Sequence, residues 1–115
     1  MTTILLIDDS AAFRKAASML LDFAGYIVIE ADGGEQGVEL AQKHQPDLIL
    51  CDIHMPNMDG NAVLNALRAS ESTAGIRFIF LTGLGESRVP EGMPYLPKPL
   101  RLEMLQKVLG DSSPV

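Results

Sequence analysis

Three carboxylates, a hydroxyl and an ammonium group each stand at the end of a short apolar run of the sequence. Asp8 and Asp9 follow ILLI, Asp52 ends LILCD, Thr82 follows FIFL and Lys98 follows YLP. If these runs are parallel strands of one open sheet, their carboxyl ends lie along one edge, where such sheets bind their ligands. The sequence therefore predicts that these five side chains converge on one site, although they are far apart in the chain.

The chemistry of such a set is that of a phosphoryl group and a metal ion. Clustered carboxylates repel one another, and a hard cation relieves the repulsion. Mg²⁺ takes oxygen ligands, needs few carboxylates, and keeps waters and phosphate oxygens. A carboxylate can also be the nucleophile that becomes an aspartyl phosphate. Lys98 can then neutralise charge on the phosphoryl oxygens, and Thr82 can donate a hydrogen bond to them.

Composition limits the alternatives. The 115 residues are 47% hydrophobic, which is typical of one globular domain with its own core. The net charge of −6 argues against a general nucleic-acid binder and against binding to an anionic membrane surface. No apolar stretch is long enough to span a bilayer, and the N-terminus lacks the basic region of a signal peptide. We therefore expect a cytoplasmic protein, in which the single cysteine, Cys51, is a small buried apolar residue.

Apolar runs and helical stripes alternate along the chain. Strands are predicted at 4–7, 26–31, 47–52, 76–81 and 93–96. Helices are predicted at 11–24, 34–45, 61–69 and 99–109, the first of them capped by Asp9 or Ser10 and the last ended by Gly110. The alternation predicts an α/β domain with helices on both faces of a five-stranded parallel sheet. The flavodoxin-like strand order 2-1-3-4-5 makes strands 1 and 3 neighbours, so that the acidic residues following them meet.

Four sequence pieces resemble the receiver domains of two-component response regulators, over residues 3–109. They are LLIDDS, LILCDIHMPNMDG, FLTG and YLPKPL, and they occur in this order and in register with the predicted strand ends. The resemblance implies the flavodoxin-like fold, with a receiver domain at 1–110 and a polar C-terminal tail at 111–115.

The resemblance also implies roles for the acidic residues. Asp52 corresponds to the phosphoacceptor. Asp9, with Asp8 assisting, corresponds to the Mg²⁺ site, to which Asp52 and the backbone carbonyl of His54 also contribute. Without this context, Asp8 and Asp9 could simply cap a helix. The His54 side chain is interpreted as one that tunes access to Asp52 rather than as a metal ligand. Asp59, in the same loop, is interpreted as a residue of the turn and of the start of the next helix, and not as a second acid of the site.

Three residues later in the chain match the switching parts of the family. Thr82 and Lys98 correspond to the residues that contact the phosphoryl group. Tyr95 corresponds to the aromatic switch position, although it could also be an ordinary half-buried aromatic residue at the sheet edge. The family further implies a cis peptide bond between Lys98 and Pro99, which is an X-Pro bond.

The segment between Thr82 and Lys98 departs from the family. Receivers usually place a full helix after the fourth strand, but this segment is shorter, is rich in glycine and proline, and has no apolar stripe. We therefore expect residues 83–92 to form a loop or at most one helical turn, with the fourth helix shortened or absent. Because that helix is part of a face through which many receivers dimerise, we expect a monomer, or a dimer formed through other surfaces.

These observations predict a signalling receiver that is not a turnover enzyme on external substrates. Its phosphoryl donor would be a sensor histidine kinase or a histidine phosphotransfer protein, and it would be either a stand-alone protein or part of a larger regulator or hybrid kinase. A pseudo-receiver that acts only as a protein-interaction module is the alternative. A phosphatase fits less well, because His54 stands where such enzymes commonly carry an aspartate. Flavin binding lacks a phosphate-cradling loop after the first strand.

Overall fold

Five short strands form one parallel sheet in the computed structural model of the chain, which describes residues 2–83 and 89–109. The strand order is β2-β1-β3-β4-β5, as predicted. The strands are β1 Thr3–Ile7, β2 Ile27–Ala31, β3 Leu48–Asp52, β4 Arg77–Thr82 and β5 Tyr95–Pro97. The α/β fold class is therefore confirmed, and β1 and β3 are neighbours in the sheet.

Helices connect and follow the strands. They are α1 Ala11–Phe23, α2 Gly34–His44, α3 Gly60–Arg68, α4 Glu71–Ala74 and α5 Leu102–Leu109. The predicted helices correspond to α1, α2, α3 and α5. None of the helices in the described ranges has both the length and the apolar character needed to cross a bilayer.

The short helix α4 precedes β4 and was not predicted, because its four residues are too few to show an apolar stripe. The buried side chain of Thr73 ties it to α3, since Thr73 Oγ1 donates a hydrogen bond of 2.6 Å to the carbonyl of Leu67.

The last helix was predicted to open at Pro99 but begins at Leu102. Leu100 is buried, and the carbonyl of Arg101 is the one that accepts from Met104 and Leu105.

The stretch between β4 and β5 was expected to lack a full helix. Its described residues, Gly83 and 89–94, contain none; a turn closed by the hydrogen bond from Met93 N to Pro90 O precedes β5. Residues 84–88, on which the rest of this expectation falls, lie outside the described residues. The same is true of residue 1 and of 110–115, which include the predicted tail.

Both faces of the sheet are covered, because the central strands are apolar on both sides. One core lies under α2 and α3, and its buried residues include Leu5, Ile7, Ile49, Cys51, Phe78, Phe80, Ala41, Val63 and Leu67. The other lies under α1 and α5, and its buried residues include Ile4, Leu6, Leu50, Ile79, Leu81, Leu96, Ala17, Leu21 and Leu105. These two cores fix the carboxyl ends of β1, β3, β4 and β5 along a common edge.

Candidate functional site

The acidic cluster lies where β1 and β3 end side by side. Ile7 pairs with Cys51, so that Asp8 and Asp52 follow at adjacent strand ends. Asp8, Asp9 and Asp52 each place a carboxylate oxygen within 4.8 Å of the others. Their exposure differs, since Asp8 is fully buried, Asp52 is buried with 5% exposed, and Asp9 is exposed. The structure therefore brings together the three carboxylates that the sequence placed at these strand ends.

Asp8 is held from several sides by its own strand and the following helix. Its backbone N–H donates to the carbonyl of Ala31, and its Oδ1 accepts a hydrogen bond of 2.8 Å from the backbone N–H of Ser10. The guanidinium of Arg14 donates a 2.7 Å hydrogen bond to the carbonyl of Asp8 and forms an ion pair with Glu30 on β2. Ser10, rather than Asp9, caps α1, which leaves the exposed Asp9 carboxylate available to a ligand.

The loop after β3 folds back tightly on Asp52. The N–H of Gly60 donates to the carbonyl of Ile53, and a Cβ at Gly60 would lie 2.6 Å from the Asp52 carbonyl oxygen. Asp59 caps α3 through a 2.9 Å hydrogen bond from Ala62 N, as expected of turn and helix-start chemistry. A residue with a side chain at position 60 would therefore displace the end of β3.

Lys98 reaches the cluster from the end of β5. Its Nζ lies 2.7 Å from Asp8 Oδ2 and 3.4 Å from Asp52 Oδ1. Its backbone N–H donates to the carbonyl of Thr82, and the Lys98–Pro99 peptide bond is cis, as the resemblance implied. Thr82, which pairs with Pro97, is buried at the adjacent end of β4. Lys98 and Thr82 thus stand side by side at the same edge as the carboxylates.

The electrostatics of the site are those of an excess of negative charge. Burial raises the pKa of the Asp52 carboxyl, and the charge of Asp8 raises it further, against the opposing effects of Lys98 and of a hydrogen bond from the His54 backbone. Burial lowers the pKa of Lys98, but its contact with Asp8 and the charges of Asp8 and Asp52 outweigh burial, so that its pKa is raised. One ammonium therefore does not balance the carboxylates.

The donor set suits a hard divalent cation. All three candidate ligands are carboxylate oxygens, which Mg²⁺ prefers. Asp8 Oδ2 is buried and, within the described part of the chain, receives no well-aligned hydrogen bond; Lys98 contacts it as an ion-pair partner. Buried carboxylates need positive partners, and here the single ammonium of Lys98 is shared between Asp8 and Asp52. The residues present therefore fit a magnesium ion held by Asp8, Asp9 and Asp52.

Cys51 lies directly beside this cluster without belonging to its chemistry. Burial raises the pKa of its thiol well above the usual value, and the charges of Asp52 and Asp8 raise it further. The thiolate is the reactive form of cysteine. Cys51 is accordingly a buried thiol that packs in the core, as predicted.

Two predicted residues lie at the margin of the cluster. The His54 side chain is exposed in the loop after β3, and its predicted carbonyl contact with a metal stays a prediction. Tyr95 is half-buried at the start of β5, paired with Phe80. Tyr95 and Thr82 line one surface groove of about 570 Å³, whose other lining residues are Leu96, Pro97, Met104, Lys107 and Val108.

Sequence reasoning missed one aromatic neighbour of the site. Phe13 falls in the helix predicted at 11–24, and its ring centroid lies 4.5 Å from Lys98 Nζ. The two residues are far apart in the chain, and a helical stripe does not indicate which of its members contacts the far edge of the sheet. No pattern in the sequence singled out this contact.

Comparison with known proteins gives a consistent result. A family model described as "Response regulator receiver domain" matches residues 4–109. The nitrate/nitrite response regulator protein NarL of Escherichia coli (strain K12) is 40% identical over 118 aligned positions, which cover 96% of this chain. These positions are 54% of NarL, so that the chain spans about half the length of that relative.

Solved structures agree with the fold. The Vibrio cholerae chemotaxis response regulator CheY4 superposes with a TM-score of 0.84 and 31% identity, over 94% of this chain and 98% of that one. The receiver domain of the sensor histidine kinase PA1611 from Pseudomonas aeruginosa gives a TM-score of 0.84 and 31% identity, over 94% and 93% of the two chains. The latter structure has a magnesium ion coordinated in its active site cleft.

Proposed function

The chain belongs to the response regulator receiver domain family, and on that premise we propose that it accepts a phosphoryl group on Asp52 in an Mg²⁺-dependent reaction. Receiver domains are signalling modules rather than turnover enzymes on external substrates. The observation that carries the proposal is the position of Lys98, whose ammonium contacts both Asp8 and Asp52 at an edge that also holds Asp9 and Thr82.

Asp52 is the best nucleophile of the three carboxylates. Asp8 is fully buried, with one oxygen bonded to Ser10 N and the other against Lys98. Asp9 is exposed, and among the described residues no cation forms an ion pair with it. Asp52 is buried but keeps 5% exposure, and the Lys98 ammonium lies 3.4 Å from its Oδ1. An oxygen of Asp52 can therefore attack phosphorus in a site that already holds a positive charge.

We propose that the donor is a phosphohistidine of a sensor histidine kinase or a histidine phosphotransfer protein. An Asp52 oxygen forms the new O–P bond as the P–N bond to the imidazole breaks, and the departing ring takes a proton from solvent. A magnesium ion held by Asp8, Asp9 and Asp52, with the His54 carbonyl, would supply charge neutralisation for the phosphoryl oxygens. Lys98 and Thr82 hold the same oxygens by an ion pair and a hydroxyl hydrogen bond. The sensor-kinase origin of one similar receiver supports this class of partner.

A partner protein would detect phosphorylation at the groove that Thr82 and Tyr95 both line. A phosphoryl group that draws the Thr82 hydroxyl towards Asp52 changes one wall of this groove. Tyr95, at the start of β5 and three residues before Lys98, can respond by a change of position. A partner that binds one arrangement of the groove better than the other would then be switched by phosphorylation.

The test is phosphorylation by acetyl phosphate, followed by intact mass measurement. We expect a gain of one phosphoryl group that requires Mg²⁺ and is reversed at alkaline pH. Asp52→Asn is the matched variant and should gain nothing, while Asp59→Asn, which changes a nearby capping acid, should still be modified. An unmodified wild-type protein in millimolar Mg²⁺ would favour the pseudo-receiver alternative, and a modified Asp52→Asn protein would refute the assignment of the acceptor.

A further inference from the structure

The ammonium of Lys98 rests on an aromatic ring that the proposed chemistry leaves without a role. Lys98 Nζ lies 4.5 Å from the centroid of the Phe13 ring, well inside the range of about 6 Å for attraction between a cation and the face of an aromatic ring. The Lys98 side chain is only 22% exposed, so that water screens this attraction incompletely. Phe13 itself is partly buried against the core under α1 and α5.

Phe13 belongs to a closed chain of contacts that also includes Asp8, Ser10 and Lys98. Asp8 Oδ1 accepts from the N–H of Ser10, and Ser10 Oγ accepts a 3.2 Å hydrogen bond from the N–H of Phe13. The Phe13 ring lies against the Lys98 ammonium, which pairs with Asp8 Oδ2. The backbone of Phe13 is thus linked through Ser10 to the same carboxylate with which Lys98 pairs.

A lysine needs such support more than most charged residues. Its ammonium is a strongly hydrated point charge on a flexible four-carbon stem, so that its position must be imposed by its surroundings. The carboxylates of Asp8 and Asp52 draw Nζ by its N–H donors. An aromatic face attracts the charge without offering an oxygen or nitrogen acceptor, and so leaves those donors to the carboxylates and to an incoming phosphoryl group.

We infer that Phe13 is a positioning residue that holds the Lys98 ammonium over the phosphoacceptor site, an inference that rests on the proposed function of Asp52. The Phe13 ring contacts the Lys98 ammonium, and Phe13 acts through that residue. Replacing the ring by an aliphatic side chain of similar volume keeps the packing and removes the attraction.

The kinetic test compares Phe13→Leu with Phe13→Tyr, using acetyl phosphate at saturating Mg²⁺. The maximal rate of phosphorylation should fall about two- to fivefold in Phe13→Leu and return to near the wild-type value in Phe13→Tyr, which keeps the aromatic face. The midpoint of Mg²⁺ binding should stay within about twofold of wild type, because Asp8, Asp9 and Asp52 remain. Phe23→Leu, the same change at an exposed position of α1, is the control and should have no effect.

A double-mutant cycle separates positioning from a general structural role. In a Lys98→Met background, Phe13→Leu should have little further effect on the rate, since the charge that the ring attracts is gone. An equal effect in both backgrounds would overturn the inference, as would equal rates for wild type and Phe13→Leu.

An NMR measurement tests the contact without any phosphoryl donor. The ε-methylene protons of Lys98 should be shifted upfield by the ring current in wild type and Phe13→Tyr, and not in Phe13→Leu. If wild type is not phosphorylated and its Lys98 ε-protons show no ring-current shift, both the proposed function and the positioning role fail. If wild type is phosphorylated but its Lys98 ε-protons show no ring-current shift, only the role of Phe13 fails.

Discussion

Lys98 lies closer to Asp8 than to Asp52, its Nζ being 2.7 Å from Asp8 Oδ2 and 3.4 Å from Asp52 Oδ1. Asp8 is fully buried, and Lys98 is the cation that contacts the oxygen left without an aligned hydrogen bond among the described residues. A magnesium ion at the three carboxylates would take over part of this charge compensation. Lys98 would then be freer to turn to a phosphoryl group on Asp52.

Magnesium should stabilise the unmodified protein. A ligand that binds only the native state adds RT ln(1 + [L]/Kd), or about 2.7 kcal/mol at a concentration a hundredfold above Kd. The melting temperature should rise across millimolar Mg²⁺ in thermal unfolding. Asp9→Ala should lose most of this rise, whereas Asp22→Ala, which removes an exposed acid of α1, should keep it. A melting curve that does not respond to Mg²⁺ would contradict the metal site.

Asp52→Asn should stabilise the magnesium-free protein at neutral pH. Burial, and then the charge of Asp8, raise the pKa of Asp52, so that the native state holds this proton more tightly than the unfolded chain. The resulting stabilisation is present below the unfolded pKa and is lost as pH rises through the higher, native pKa. The melting temperature of wild type relative to Asp52→Asn should therefore fall as pH rises from acid to neutral. A difference independent of pH would count against the raised pKa.

Lys98→Met should destabilise the magnesium-free protein and increase the benefit of magnesium. Removing one partner of a fully buried ion pair costs roughly 3–5 kcal/mol. The loss here should be on the order of 2 kcal/mol, because Lys98 is 22% exposed. Urea unfolding with and without Mg²⁺ measures both effects. Lys15→Met, at an exposed position of α1, is the control and should change stability by less than about 0.5 kcal/mol. If magnesium stabilised Lys98→Met less than wild type, Lys98 and magnesium would not share the task of neutralising the Asp8 charge.

Gly60→Ala should destabilise the fold near the phosphoacceptor. A Cβ at Gly60 would lie 2.6 Å from the Asp52 carbonyl oxygen and 2.9 Å from the Ile53 Cα, both of them backbone atoms that cannot rotate away. Overpacking of this kind costs about 1–3 kcal/mol. Gly75→Ala is the matched control, since no atom lies within 4 Å of its Cβ position. In urea unfolding, only Gly60→Ala should lose stability. Equal unfolding midpoints for the two variants would show that the loop shifts to accommodate the added Cβ.

The sequence by itself determined the fold class, the strand order and the edge at which Asp8, Asp9, Asp52, Thr82 and Lys98 gather. This was possible because apolar runs and helical stripes are local patterns, and because parallel strands joined by helices leave their carboxyl ends on one side. The short helix α4 and the late start of α5 were not predictable in the same way. Four residues carry no period, and the burial of Leu100 depends on the space beneath α5.

Only the tertiary structure decided how these side chains divide their roles. Asp8 and Asp9 are adjacent and chemically identical, yet one is fully buried against Lys98 and the other is exposed. In the sequence, Phe13 is one apolar residue among several in the helix at 11–24. Only the folded structure places its ring against the Lys98 ammonium. Such contacts join residues that are distant in the chain, and they depend on side-chain rotamers and on the space between packed elements, which no local pattern of residue types records.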